Sequence, residues 1–221
     1  MVDDSVDDMR RTSILLEDAE FQPIAIDPSF PDLHALLDEV ERNAAGLVCD
    51  HRLSHGASAG FTGAEVVAAS NRRRIPAVLI TGYADLDEQT SIRRWRSNIP
   101  CMLRKRFEPD AIESALSVAH REQLFGPAPE RVGHRTVVRV LRVDRIGSEQ
   151  IVEVIVVAWD PADAVILPAD MITQRVGISA AELPGMRFMA NVNIHAKNPE
   201  ELFFEGFELA PRVPADWLTA G

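Results

Sequence analysis

Cysteine, aromatic side chains and positive charge are all scarce in this chain. Two cysteines in 221 residues make no disulfide framework. Cys49 and Cys101 fall in apolar runs, so they read as reduced, structural thiols of a cytoplasmic protein. No run of about 18 apolar residues exists, so no membrane-spanning helix is expected. The opening Met1-Val-Asp-Asp-Ser-Val-Asp-Asp8 is acidic rather than basic and then apolar, which excludes a secretory signal; residues 1–11 read as a disordered tail. Lys and Arg number 23 against 34 Asp and Glu, a net charge of −11. Neither half of the chain is basic, so affinity for DNA or an anionic membrane is not expected. An apolar content of 46% still allows a packed core, in one large domain or two small ones.

What is present is a series of short apolar runs, each ending in a polar residue. Gly46-Leu-Val-Cys-Asp50 ends in a carboxylate, Ile75-Pro-Ala-Val-Leu-Ile-Thr81 in a hydroxyl, and Ile99-Pro-Cys-Met-Leu-Arg-Lys105 in an ammonium. Segments with helical patterning lie between them, and Ala111–Ala119 follows the last. Strand alternating with helix implies a parallel sheet, whose strand ends converge on one crevice. A carboxylate, a hydroxyl and an ammonium gathered there suit the receipt of a phosphoryl group.

At these residues the chain resembles the receiver domain of two-component response regulators. Asp50, Thr81 and Lys105 match the phosphorylated aspartate, the Thr or Ser, and the Lys that end the third, fourth and fifth strands of that family. Gly63-Ala-Glu-Val-Val67 looks like the Gly-x-Glu-Leu start of its third helix. Lys105-Arg-Phe107 resembles its Lys-Pro-Phe, with Arg106 in place of the proline and Met102 where a switch Tyr or Phe is common. The resemblance covers roughly residues 12–122. It implies a doubly wound α/β fold of flavodoxin-like type and phosphoryl transfer from a histidine kinase or phosphotransfer protein to Asp50. It also implies Mg2+ held by an acidic pair at the end of the first strand, by Asp50 and by the backbone carbonyl of Arg52.

The acidic pair expected here is Glu17 and Asp18, after Ser13-Ile-Leu-Leu16. That choice puts strand one at 12–17, strand two at Gln22–Ile26 and a helix at Pro31–Asn43, and it leaves too little chain for a first helix. The expected receiver, residues 12–124, therefore lacks about one helix, and part of its sheet would be bare. Leu33, Leu36, Leu37 and Val40 would face that sheet, and a bare patch suggests a homodimer or another tight protein contact.

Residues 125–133 hold two prolines and two glycines and read as a linker. Beyond it the period changes to 2. Thr136–Asp144 and Gln150–Ala158 read as a hairpin across Arg145–Glu149, with further strands at Ala164–Leu167, Met186–Ile194 and Leu202–Leu209. About five strands over 134–221 suggest a small β-barrel-like output domain of OB-like or SH3-like type. Phe203, Phe204 and Phe207 read as core rather than as a nucleic-acid platform, because the charge is negative.

Three functional readings remain. The first is a response regulator relaying phosphorylation of Asp50 to a β domain that does not bind DNA. The second is a phosphorylation-independent adaptor on the same fold. The third, a metal-dependent hydrolase, lacks a general base, so turnover as an enzyme is not expected. A metal trio of Asp50, His51 and His55 lacks further ligands nearby in sequence.

Overall fold

The computed structural model describes residues 1–53, 60–82, 86–105 and 107–211, leaving aside the side chains of residues 86–89. The chain divides into two compact units, Met1–Arg131 and Val132–Gly221.

In the first unit, β1 (Leu47–Asp50), β2 (Ala77–Thr81) and β3 (Met102–Arg104) form a parallel sheet in that order. Every residue of β1 and β2 is buried, as continuous apolar runs in a parallel sheet require. Two further extended segments continue the sheet past β1. Val2 bridges in parallel to Cys49 on one side and to Ile26 on the other, through Val2 N–H to Val48 O at 2.9 Å and Ile26 N–H to Met1 O at 2.9 Å. Taken with these bridges, the order in chain sequence is 2-1-3-4-5, that of a doubly wound flavodoxin-like sheet.

Five helices occur among the described residues of this unit: α1 (Val6–Asp18), α2 (Leu33–Asn43), α3 (Gly63–Arg72), α4 (Leu86–Arg93) and α5 (Pro109–Phe125). The period-2 alternation of the strands distributes them over two faces. Val2, Leu47, Cys49, Ala77 and Leu79 pack with α2, α3 and Ile92 of α4. Val48 and Ile80 point the other way, to Leu16 of α1 and Ile112 of α5.

This arrangement corrects the expected front end. Residues 12–17 are helix, not strand: Thr12 and Leu16 are buried one turn apart. Ser5 caps the helix, its Oγ accepting Asp8 N–H at 3.3 Å, and Asp7 and Asp8 in the first turn favour the positive end of the helix dipole. Residues 1–4, expected as disordered tail, carry the strand segment instead, with Val2 buried. The missing first helix is therefore present as α1, and no bare sheet face is found among the described residues. The helix expected at 31–43 is α2, capped by Asp32, whose carboxylate accepts Ala35 N–H at 2.9 Å. Leu36, Leu37 and Val40 are its buried face.

The second unit is an antiparallel sheet of β4 (His134–Ile146), β5 (Glu149–Val156), β6 (Asp160–Pro168), β7 (Arg187–Val192) and β8 (Phe204–Leu209), ordered β6-β5-β4-β7-β8. β4 and β5 join through Gly147 at φ 56°, the conformation a tight hairpin asks of glycine. A short helix, α6 (Asp170–Val176), packs Ile172 into the core with Leu183, Phe188, Phe204 and Phe207. The Phe204 and Phe207 rings stack 6.1 Å apart. Phe203 is buried too. The expected barrel is not closed among the described residues, because β6 and β8 do not pair with each other.

One contact ties the fold to the strand ends. A Cβ on Gly63 would lie 1.7 Å from the Asp50 carbonyl oxygen, and Gly63 N–H donates to His51 O at 2.9 Å. Gly63→Ala is expected to destabilise the protein by about 3 kcal/mol or more, the upper end of overpacking costs. Gly60→Ala, whose Cβ meets nothing within 4 Å, should stay within about 1 kcal/mol. Urea unfolding of the two variants checks this.

Candidate functional site

β1 ends at Asp50, β2 ends at Thr81, and Lys105 follows β3 directly. Because the strands are parallel and in register, these three ends share one edge of the sheet. Asp50 is level with Ile80, and Thr81 with Arg104. His51 N–H donates to Ile80 O at 2.9 Å, and Lys105 N–H to Thr81 O at 3.0 Å. Asp50 N–H donates to Val2 O at 2.9 Å, which carries Asp3 and Asp4 to the same edge.

The side chains converge accordingly. Carboxylate oxygens of Asp3, Asp4 and Asp50 all lie within 4.8 Å of one another. Lys105 Nζ stands 3.0 Å from Asp50 Oδ1 and 2.7 Å from Asp8 Oδ2. Asp50 Oδ2 accepts Arg52 N–H at 3.0 Å. Asp50 Oδ1 is buried with no hydrogen bond among the described residues, so its partner is an ion pair rather than an aligned donor. The Thr81 side chain is buried beside this edge.

Burial decides the electrostatics. It pushes the Asp50 carboxyl above the ordinary aspartate value, against the pull of Lys105 and the Arg52 N–H. Burial likewise raises Asp3 to about 6, against the Ser5 N–H that its Oδ1 accepts at 2.8 Å, with the Asp50 charge adding to the rise. For Lys105 burial works downward, but the contacts to Asp8 and Asp50 outweigh it and hold the ammonium above the usual lysine value. Lys105 is thus fully charged at neutral pH. Burial pushes the Cys49 thiol well up, which leaves it a core residue rather than a nucleophile.

Of the residues singled out from sequence, Asp50, Thr81, Lys105 and Arg52 meet at this edge. Glu17 and Asp18 do not. They occupy the last turn of α1 and are exposed. The acids that do gather with Asp50 are Asp3 and Asp4, and Asp8 joins through Lys105. Their signal lay in the order of the opening residues: two apolar residues, two acids, then a capping serine at the head of a helix. His51 is buried and sits 2.7 Å by Nε2 from Ser91 Oγ of α4. His55 and Arg106 lie outside the described residues.

No family model and no curated protein matches this chain. Among solved structures it is similar to response-regulator receiver domains. The signal receiver domain of a modulated diguanylate cyclase from Desulfovibrio desulfuricans is 18% identical at TM-score 0.45, over 56% of this chain and 92% of that one. A receiver domain protein from Clostridium thermocellum is 16% identical at TM-score 0.41, over 56% and 93%. The receiver domain of an HD domain-containing protein from Pseudomonas fluorescens is 18% identical at TM-score 0.41, with the same coverage. None of these identifies the antiparallel sheet of the second unit.

The acidic edge has a measurable effect on folding. Asp3 has its ordinary value near 3.8 when unfolded and about 6 when folded, so between those pH values the folded state binds the extra proton and stability falls as pH rises. Without divalent metal, Asp3→Asn is expected to raise the melting temperature at pH 7.5. At pH 4 the native chain should be close to its equal. The gain is at most about 3 kcal/mol, two pH units at 1.4 kcal/mol each. Thermal melts in a chelator at the two pH values check it.

Proposed function

We propose that this protein is a response regulator whose Asp50 accepts a phosphoryl group from a histidine kinase or a phosphotransfer protein. The observation that carries the reading is a buried carboxylate at a strand end, ion-paired to Lys105 at 3.0 Å and grouped with Asp3 and Asp4. Three carboxylates this close, with one lysine against them, present hard oxygens suited to Mg2+. Asp3, Asp4, Asp50 and the Arg52 carbonyl would hold the ion. Mg2+ supplies, when bound, neutralisation of the charge on the phosphoryl oxygens.

The chain's own residues account for the rest. An ionised Asp50 oxygen attacks phosphorus; the new O–P bond forms as the P–N bond of the donor phosphohistidine breaks, and the leaving imidazole nitrogen keeps the electron pair and takes up a proton. Lys105 pairs with a phosphoryl oxygen, and the Thr81 hydroxyl donates to another. The Arg52 N–H holds the Asp50 carboxylate in orientation. The β unit is the output, and its surplus of acidic over basic side chains favours a protein or small-ligand contact over DNA.

A second reading, a phosphorylation-independent adaptor, is favoured by the same Lys105, which is already engaged by two carboxylates. Intact mass after incubation with acetyl phosphate and Mg2+ separates the two. A gain of one phosphoryl group is expected in the native chain and none in Asp50→Ala. Lys105→Ala should slow the gain about tenfold or more, the scale of losing a charged contact in the transition state. An unchanged mass with the fold intact would leave the adaptor.

A further inference from the structure

Lys105 is closer to Asp8 than to the residue it is expected to serve. Its Nζ lies 2.7 Å from Asp8 Oδ2, in a hydrogen bond, and 3.0 Å from Asp50 Oδ1 without one. Asp8 is held in place to make that contact. It sits in the first turn of α1, its N–H is capped by Ser5, and its Oδ1 faces Arg11 at 3.5 Å. Asp8 is not among the clustered ligand oxygens of Asp3, Asp4 and Asp50, so it has no place in holding a metal. At this edge of the sheet its partner is the Lys105 ammonium.

We infer that Asp8 is a positioning residue that holds Lys105 back from the incoming phosphoryl group, so that α1 restrains the phosphoacceptor site. The inference rests on the phosphoacceptor reading of Asp50. One ammonium cannot hold two carboxylates and a dianionic phosphoryl group equally. For Lys105 to turn to a phosphoryl oxygen, it must leave Asp8, and the cost of that separation raises the barrier to phosphoryl acceptance. Asp8 also adds a negative charge close to where the dianion arrives, which acts in the same direction. Both effects vanish when Asp8 loses its charge.

The test is the rate at which the full chain gains phosphoryl mass from acetyl phosphate and Mg2+, compared across charge-matched variants. Asp8→Asn should be roughly threefold to fivefold faster than native, the size of a half-exposed ion pair. Asp7→Asn removes the same charge from the same first turn but not the lysine contact, and should match the native rate. Asp8→Glu keeps the charge and should return the rate toward native. In a Lys105→Met background the gain from Asp8→Asn should shrink, since the lysine contact is lost with the partner and only the direct repulsion of the dianion remains. An Asp8→Asn rate equal to native, or an equal gain in Asp7→Asn, would overturn the restraint while leaving Asp50 as acceptor. If the folded native chain gains no mass at all, the acceptor reading falls and the restraint with it.

Discussion

A single ammonium group set among four carboxylates is the feature on which the N-terminal unit turns. Asp3, Asp4, Asp8 and Asp50 come from the first strand segment, the head of α1 and the end of β1, and Lys105 answers them from the end of β3. Packing forces this gathering. β1 and β2 are buried along their whole length, so their register is fixed, and parallel strands in register deliver their next residues to one edge. The chemistry of the edge is a by-product of where the core must stop.

That edge is costly to the fold. Burial raises both Asp3 and Asp50 above ordinary aspartates, which means that ionising them works against the folded state. Hydrophobic side chains in the same places would stabilise the unit, as replacements of buried charges often do. Sites under such strain are commonly functional ones, where stability is traded for activity. A purely structural ion pair needs one aspartate and one lysine. It gives no reason for three further acids.

Which parts of this were legible in the sequence follows from length and period. Asp50, Thr81 and Lys105 stood out because each ends a short, largely apolar run. The front end misled for a related reason. Ile14-Leu15-Leu16 is a short apolar run, and such a run cannot be told from a strand by periodicity alone. The true first strand pairs through Val2 alone, too short to show any period, and its acids made the opening look like a solvated tail. The stronger clue was the cap. Ser5 followed by acids in the first turn marks a helix start, and a helix there excludes a strand over 12–17. In the second unit the alternation of β4 and β5 was plain, whereas closure of the sheet depends on how its edges meet, which no local pattern encodes.

Those edges bear on what the second unit can bind. An open antiparallel sheet presents unpaired backbone groups along its outer strands, and natural proteins blunt such edges with charge, proline and bulges. Both edge strands here are blunted. β6 begins Asp160-Pro161 with Asp163 exposed two residues on, and it shifts register against β5 between Ile155 and Val156. β8 exposes Glu205 and Glu208 on either side of Gly206 at φ 61°, with a second register shift against β7. An added strand from a partner would meet acidic side chains and interrupted pairing on either edge.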